Sequence, residues 1–428
     1  MTTQESPDAV RRTVEAVWRI ESARLVAHLY RLTHDVGHAE ELAQDALVAA
    51  LEHWPRAGVP PNPGGWLLTT ARNRAVDAHR RRAVHDRALH TLHRQTPTTH
   101  DPIRDETDDH LDDPVHDDLL RLLFTACHPA LPVESRVALT LRCLAGLTTA
   151  QIARAFLVGE PTAAQRIVRA KRTLAALAVP FAAPTPAQLP ERLDAVLAVL
   201  YLIFNEGYSA TTGDDWMRPE LCAEALRLAR LVAALLPDQP EALGLLALLE
   251  LQASRTAART APDGTPVLLA DQDRTRWDRL LVRRGLTALA DAERAARTGR
   301  PLGPYTLQAA IAACHARAPS VQDTDWTRIA TLYGALADLT ASPVVELNRA
   351  VALGMAHGPD AGLAAVRPLL TSRALAGYPD LHAVHGDLLA RAGRTAEARS
   401  AFARAAELTT NSRRRALFAD RARPPDSP

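Results

Sequence analysis

Residues Leu147 to Leu174, LTTAQIARAFLVGEPTAAQRIVRAKRTL, spell two short helices with a tight connection. Ile152, Ala153 and Phe156 give the first an apolar side, and Ile167, Val168 and Leu174 give one to the second. Gly159, Glu160 and Pro161 interrupt the pattern between them. Proline has a fixed φ and no N–H, so Pro161 suits the opening turn of the second helix, with Thr162 beside it as an N-cap or first-turn residue. Gln165, Arg166, Arg169, Lys171 and Arg172 follow. A short helix, a tight turn and a polar, basic second helix form the helix-turn-helix pattern, in which the second helix enters the DNA major groove.

The surrounding chain has 428 residues, enough for two to three domains at about 150 residues each. It is 47% hydrophobic but only 4% aromatic, so Leu, Ala and Val must build the core. Such a core favours helices over sheet, and the expected fold class is all-α. The formal net charge of +1 averages over strongly charged segments and says nothing about partners. Arginine is abundant and Lys171 is the only lysine, so a single Arg carries little information. The four cysteines show no CxxC spacing, which fits a reducing cytoplasm better than a disulfide framework or a zinc module. The opening MTTQESPDAV lacks the basic flank and apolar run of a signal peptide, and the longest apolar run, about Ala195 to Phe204, is too short to span a bilayer. A cytoplasmic protein without membrane segment, metal or cofactor is expected.

Upstream, Val14, Val17, Trp18, Leu25, Leu29 and Leu32 fall at helical spacing until Gly37, the expected break. The next helix, His38 to Trp54, carries Leu42, Ala46, Ala49 and Ala50 inside, with Glu40, Glu41, Gln44 and Asp45 on or near the outside. A Pro/Gly loop spans Arg56 to Gly65. In the helix after it, Trp66, Leu67, Ala71, Ala75 and Ala78 take one side. Arg72, Asn73, Arg74, Asp77, His79, Arg80, Arg81 and Arg82 take the other, either as a solvated face whose basic end suits the macrodipole or as a nucleic-acid contact. Thr96 to Asp118 is acidic and Pro-containing and reads as a flexible linker, with mimicry of nucleic acid in a basic channel as the sharper alternative. A helix from Val133 to Leu144 leads into the helix-turn-helix; Cys127 and His128 before it read as a buried thiol and a turn residue, not as metal ligands.

These segments together resemble a bacterial RNA polymerase sigma factor of the extracytoplasmic-function type, within the sigma-70 family, over about Val10 to Ala178. HAEELAQDALVAALEHW (His38–Trp54) looks like region 2.2, PGGWLLTTARNRAVDAHRRR (Pro63–Arg82) like regions 2.3 and 2.4, and GLTTAQIARAFLVGEPTAAQRIVRAKRTL (Gly146–Leu174) like region 4.2. The resemblance implies core polymerase as partner, through the β′ clamp helices and the β flap, and promoter DNA as ligand. It implies that Glu40, Glu41, Gln44 and Asp45 face core polymerase. Trp66, Arg72, Asn73, Asp77, Arg80, Arg81 and Arg82 would meet the −10 element; Thr162, Gln165, Arg166, Arg169, Lys171 and Arg172 would meet the −35 element. One departure is the alanine pair Ala163 and Ala164 in the first turn of the recognition helix, where the family has more polar residues; base readout then falls mainly to Gln165, Arg166 and Arg169. The expected domains are residues 10–95 (region 2), 96–116 (acidic linker), 117–180 (region 4) and 188–428.

The last of these exceeds a minimal factor of this type. Apolar helical runs alternate with turns at Leu193 to Phe204, Pro219 to Leu236, Pro240 to Ala253, Trp277 to Arg297, Tyr305 to Ala318, Trp326 to Leu339, Val344 to Met355, Leu381 to Ala392 and Ala396 to Leu408. In the last pair Gly386, Ala398, Phe402 and Ala405 sit at tetratricopeptide offsets, which predicts a helix-pair repeat domain. Within it, YLIFNEGYSATTGDDW (Tyr201–Trp216) reads as a helix end with Gly207 as terminator, or as a docking corner. This corner and the tail resemble the sigma subgroup with a long C-terminal extension of this kind. The closing NSRRRALFADRAR (Asn411–Arg423) reads as a solvated basic cap. No Gly-rich phosphate loop, metal-ligand cluster or nucleophile–His constellation stands out, so an enzyme is not expected. The competing reading is a free-standing helix-turn-helix regulator with a tetratricopeptide sensor, which leaves residues 18–82 and the acidic linker without a role. The extension is expected to regulate, through contact with the sigma domains, with core polymerase or with a protein regulator.

Overall fold

The computed structural model describes residues 7–90, 114–156, 158–210, 216–262, 264–297, 299 and 302–423, with backbone alone at 7–9, 19, 77–90 and 114–117. The described residues are helical, with one isolated β-bridge between Thr260 and Pro266 and no strand ladder. They form two compact units: residues 1–154 with 158–199, and residues 155–157 with 200–428.

The first unit begins with α1 (Pro7–Thr33), α2 (Val36–Ala57) and α3 (Pro63–His90). The break after α1 lies at His34 and Asp35, three residues before the expected Gly37. His34 takes a left-handed φ of 51°, and the Asp35 carboxylate caps α2 by accepting from the N–H groups of Gly37 (2.7 Å) and His38 (3.0 Å). A short acceptor side chain satisfies orphan helix donors, so Gly37 sits inside the first turn and not at the break. Helix α2 also continues through Pro55 to Ala57, shortening the expected loop; Gly58 (φ 83°) ends it and Asn62 Oδ1 caps α3 through Gly65 N–H at 2.9 Å. Leu25, Leu29, Leu42, Ala46, Leu67 and Ala71 close the bundle.

Four further helices follow: α4 (Pro114–Ala126), α5 (Val133–Cys143), α6 (Thr149–Ala155) and α7 (Glu160–Ala176). Thr148 Oγ1 accepts from Gln151 N–H while Gln151 Oε1 accepts from Thr148 N–H, a reciprocal capping box that starts α6. They pack on α1. Gly146 has a φ of 66°, and a Cβ there would meet Ser22 Oγ at 2.7 Å, so this turn requires glycine twice over. Arg31 of α1 pairs with Asp118 of α4 at 3.6 Å, and the Tyr30 and Phe181 rings lie 4.4 Å apart. Helix α8 (Leu189–Tyr208) contributes residues to both units.

The second unit is a succession of helices packed on their neighbours along the chain, α9 (Pro219–Leu235) to α18 (Ser412–Ala422). At its centre α10 (Pro240–Ala253) is apolar all round, and close approaches replace side chains there: a Cβ on Gly244 would meet Thr306 Oγ1 at 2.3 Å, and one on Gly285 would meet Leu251 Cγ at 2.7 Å. Glu241, on α10, caps the distant helix α12 (Pro304–Arg317) by accepting from the N–H groups of Gly303 (3.1 Å), Tyr305 (2.8 Å) and Thr306 (3.1 Å). A carboxylate suits that terminus because orphan donors and the helix dipole both favour negative charge.

Several sequence expectations are refined here. Gly207 is not a terminator: α8 runs on to Tyr208, and Gly207 is the point where α8 meets the start of α9, since a Cβ would lie 2.7 Å from Cys222 N and 2.9 Å from Arg218 O. In the terminal pair, α16 (Pro379–Arg391) and α17 (Thr395–Leu408), the Phe402 ring fills the space left by Gly386. The closing basic segment is not a solvated cap. It is helix α18, whose Phe418 buries against Ala383 and Ala405, while Arg414 and Arg421 pair with Asp380 and Asp387 and the Arg421 guanidinium lies 4.2 Å over the Phe402 ring. The chain also forms an unexpected short helix, α15 (Pro359–Val366), where Gly354 and Gly362 let backbones touch.

Candidate nucleic-acid and polymerase interface

The recognition helix α7 divides cleanly. Ala163, Ile167, Ala170 and Leu174 are buried at spacings of four, three and four. Thr162, Gln165, Arg169 and Arg172 are exposed on the opposite side at spacings of three, four and three, and Arg166 is half-buried beside them. The alanine-rich first turn now has a structural reason: Ala163 points into the core, where a polar side chain would have no partner, so its lack of hydrogen-bonding groups removes nothing from the outer face. Val168, expected inside, is 45% exposed because it falls one residue round from the Ile167 stripe.

Lys171 leaves this face altogether. Its Nζ donates to Glu40 Oε2 at 2.7 Å, and the Arg142 guanidinium donates to Glu40 Oε1 through Nη2 at 2.6 Å and Nε at 2.9 Å. Arg142 Nη1 also holds Leu147 O at 3.1 Å, which fixes it in place. Glu40, expected outward, is therefore buried, 6% exposed, between α2 and the region-4 helices. Burial alone would raise its pKa, but the adjacent Lys171 and Arg142 charges and their hydrogen bonds outweigh that and hold the carboxyl below the usual glutamate range. The pairing was absent from the sequence reading because its partners are 102 and 131 residues away.

The remaining expected polymerase-facing residues of α2 are outside: Glu41 and Asp45 are exposed and Gln44 half-buried. Asp45 is held by Arg74, whose Nη1 donates to the Asp45 carbonyl at 2.7 Å. The same stripe continues through Val48 and Leu51, 49% and 40% exposed, beyond the residues expected from sequence; Val48 follows Asp45 by three and Gln44 by four, and Leu51 follows Val48 by three, and that spacing places them there. On α3, Arg72 and Asn73 are exposed, and Trp66 is half-buried against the rings of Trp54 (5.5 Å) and His53 (5.9 Å). The side chains of Asp77, Arg80, Arg81 and Arg82 lie outside the described residues.

One helix thus carries an acidic and apolar stripe, and the same unit carries a basic helix-turn-helix. Residues 19–84 match the model of sigma-70 region 2 and residues 121–174 that of sigma-70 region 4. The chain is 30% identical over 162 residues, 38% of its own length and 86% of the relative's, to the ECF RNA polymerase sigma factor SigL of Mycobacterium tuberculosis. It belongs to the extracytoplasmic-function RNA polymerase sigma factors of the sigma-70 family, non-enzymatic initiation factors that bind core RNA polymerase and promoter DNA. Residues 192–293 match a family of unknown function (DUF6596). An uncharacterized protein of Rhizobium meliloti (strain 1021) is 47% identical over 384 residues, covering 90% of this chain and 89% of that one. No solved structure matches the chain. No helix among the described residues is long and apolar enough to cross a membrane.

Proposed function

We propose that this chain directs core polymerase to its promoters with α2 as the docking helix and α7 as the −35 reader, and that the helical domain beyond residue 188 regulates it. The observation that carries the reading is the two-sided α7, with Thr162, Gln165, Arg169 and Arg172 on one outer face and the core residues on the other. Side chains at those spacings line a groove-facing surface, where Arg and Gln bond base edges and the remaining cations hold phosphates. Glu41, Gln44, Asp45, Val48 and Leu51 form the stripe offered to a helical surface of the polymerase, the acids by charge and the aliphatics by burial. Arg72 and Asn73, with Trp66 in the first turn of the same helix and Asp77, Arg80, Arg81 and Arg82 further along it, face the −10 DNA. Glu40 and Lys171 satisfy each other in the closed arrangement and become available to polymerase and DNA when regions 2 and 4 separate. The boundaries 10–95, 96–116, 117–180 and 188–428 divide these tasks, in the cytoplasm. The test is run-off transcription with purified core polymerase on promoters mapped after induced expression: promoter-specific initiation is expected, and DNA binding without initiation would instead make the chain a helix-turn-helix regulator. Truncation near Pro186 should change transcript level or core affinity; no change in either would remove the regulatory role.

A further inference from the structure

Outside the interface just described, the second unit gathers three arginines, two of them buried. Arg255 and Arg274 are each 8% exposed, and Arg259 is half-buried. The Arg259 guanidinium lies 3.6 Å from the Tyr208 ring centroid and 5.2 Å from that of Trp216. Arg255 lies 5.8 Å from both the Tyr208 and Trp277 rings, and Arg274 lies 5.2 Å from Trp277. Arg255 is thus the middle of the three, sharing one aromatic wall with each neighbour. Among the described residues no carboxylate comes within ion-pair distance of any of them; elsewhere in the same unit the buried Glu250 has its Arg230 at 2.8 Å. Three like charges repel one another, and the Asp323 charge acts on Arg274 in the opposite sense from beyond ion-pair distance. Burial and then the Arg255 charge push the Arg274 pKa down, and His315 beside them is pushed down to about 3 by burial and by Arg255 and Arg274, so it adds no charge of its own.

The hydrogen-bond inventory has the same bias. Arg274 spends Nη1 on the carbonyls of His315 (2.8 Å) and Ala318 (2.7 Å) and Nη2 on Thr324 Oγ1 (3.1 Å); Arg259 Nη2 holds Tyr208 O at 2.9 Å, and Arg255 Nη2 holds Gln252. These bonds hold the guanidiniums in place. Left over, buried and without an acceptor, are Nε of Arg255, Arg259 and Arg274 and Nε1 of Trp216 and Trp277. All five are donors; the Tyr208 hydroxyl and His315 Nδ1 beside them, each able to donate or accept, are also left over. A buried donor without an acceptor costs free energy comparable to a lost hydrogen bond, so a set made up mostly of donors calls for a ligand rich in acceptors.

We propose that Arg255, Arg259, Arg274, Trp216 and Trp277 form a binding site for the phosphoryl group of a small molecule. A phosphate monoester carries nearly two negative charges and three acceptor oxygens, which match a three-guanidinium, donor-rich site better than a carboxylate does. Guanidinium forks and indole N–H groups supply directed bonds, and the aromatic faces keep water from competing. None of its residues is among those assigned to transcriptional contacts, and its test reads binding alone.

The full chain is titrated with inorganic phosphate, with ribose 5-phosphate and with chloride at matched ionic strength, following the melting temperature and tryptophan fluorescence. Saturable stabilisation by one of the phosphates and none by chloride is expected; tighter binding of the ester would identify a phosphorylated metabolite as the source, tighter binding of inorganic phosphate the free anion. The exposed arginines of α7 could also attract phosphate, so two variants separate the sites. Arg169→Ala should retain the shift, and Arg255→Leu should abolish it while melting no lower than the parent in chloride. Trp277→Phe, which removes one donor and keeps the ring, should weaken binding about tenfold, and decides the matter if Arg255→Leu does not fold. A wild-type response equal to that in chloride, a shift that survives Arg255→Leu, or an affinity unchanged by Trp277→Phe would overturn the proposal.

Discussion

Replacing Glu40 by glutamine removes one negative charge from between two positive ones. Glu40 Oε2 lies 2.7 Å from Lys171 Nζ and Oε1 lies 2.6 Å from Arg142 Nη2, with side-chain exposures of 8%, 18% and 16% for Glu40, Lys171 and Arg142. Stripping one partner from a buried ion pair costs about 3–5 kcal/mol. Glutamine keeps an acceptor oxygen, and both cations retain some solvent, which lowers the figure to about 2–3 kcal/mol. The contact between α2 and α7 should therefore open about 30- to 150-fold more often. Lys171 is the only lysine, so its reactivity reports this contact directly. Brief exposure to an amine-acylating reagent, followed by mass spectrometry of the Lys171 peptide, should show acylation accelerated by that factor in Glu40→Gln. It should show no acceleration in Glu52→Gln, an exposed position on the same helix. Equal rates in Glu40→Gln and the parent would mean that the carboxylate does not restrain Lys171, and the account of the contact would be wrong.

Acid should have the same effect by another route: a carboxyl whose folded pKa is depressed stabilises fully above its unfolded value and loses that contribution as pH falls through the folded value, so the contact should weaken only below about pH 4.5, measured as a change in small-angle scattering. Arg169→Ala should weaken −35 duplex binding by about 1–3 kcal/mol if the side chain bonds a base, or reduce the salt slope by about one if it holds a phosphate, whereas Ala163→Ser should act on thermal stability and not on the salt slope; filter binding at several salt concentrations separates the two. Glu241→Gln should lower the melting temperature of the full chain, since a neutral cap replaces three charge-assisted bonds to α12, at about 1–3 kcal/mol. Gly207→Ala should destabilise by about 1–3 kcal/mol because the new methyl meets backbone atoms of Arg218 and Cys222 that cannot turn away; a melt within error of the parent would show the corner to be looser than described.

The helices that sequence periodicity found are those whose apolar stripe is local information. Pro219–Leu235, Pro240–Ala253 and Glu160–Ala176 appear within a residue or two of where spacing and proline placed them. Capping chemistry was harder to read, and the first break fell at His34 because Asp35 offers an acceptor that a glycine-centred reading overlooks. Glu40 was placed outside by its neighbours Glu41 and Gln44, yet it lies four residues after Val36 and three before Ala43, on the stripe that buries both. A charged residue on a buried stripe signals a distant partner, and nothing local names that partner. Basic α18 misled for the opposite reason: its pairing acids, Asp380 and Asp387, and its apolar anchor sit on a helix some thirty residues earlier. The arginines at 255, 259 and 274 were invisible in a chain this rich in arginine, and only their clustering, with buried Nε groups left without an acceptor, distinguishes them.

One carboxylate cannot serve two masters at once. While Glu40 neutralises Lys171 it is withheld from anything approaching α2, and Lys171 is withheld from anything approaching α7. On the proposed contacts, polymerase at the first and DNA at the second would each have to break the same bond. The first to arrive bears its cost and the second finds it already broken, so each would raise the affinity of the other by the same factor, as linkage requires. A single ion pair between two helices would thus make promoter recognition conditional on polymerase, and disfavour tight binding of promoter DNA by the free protein.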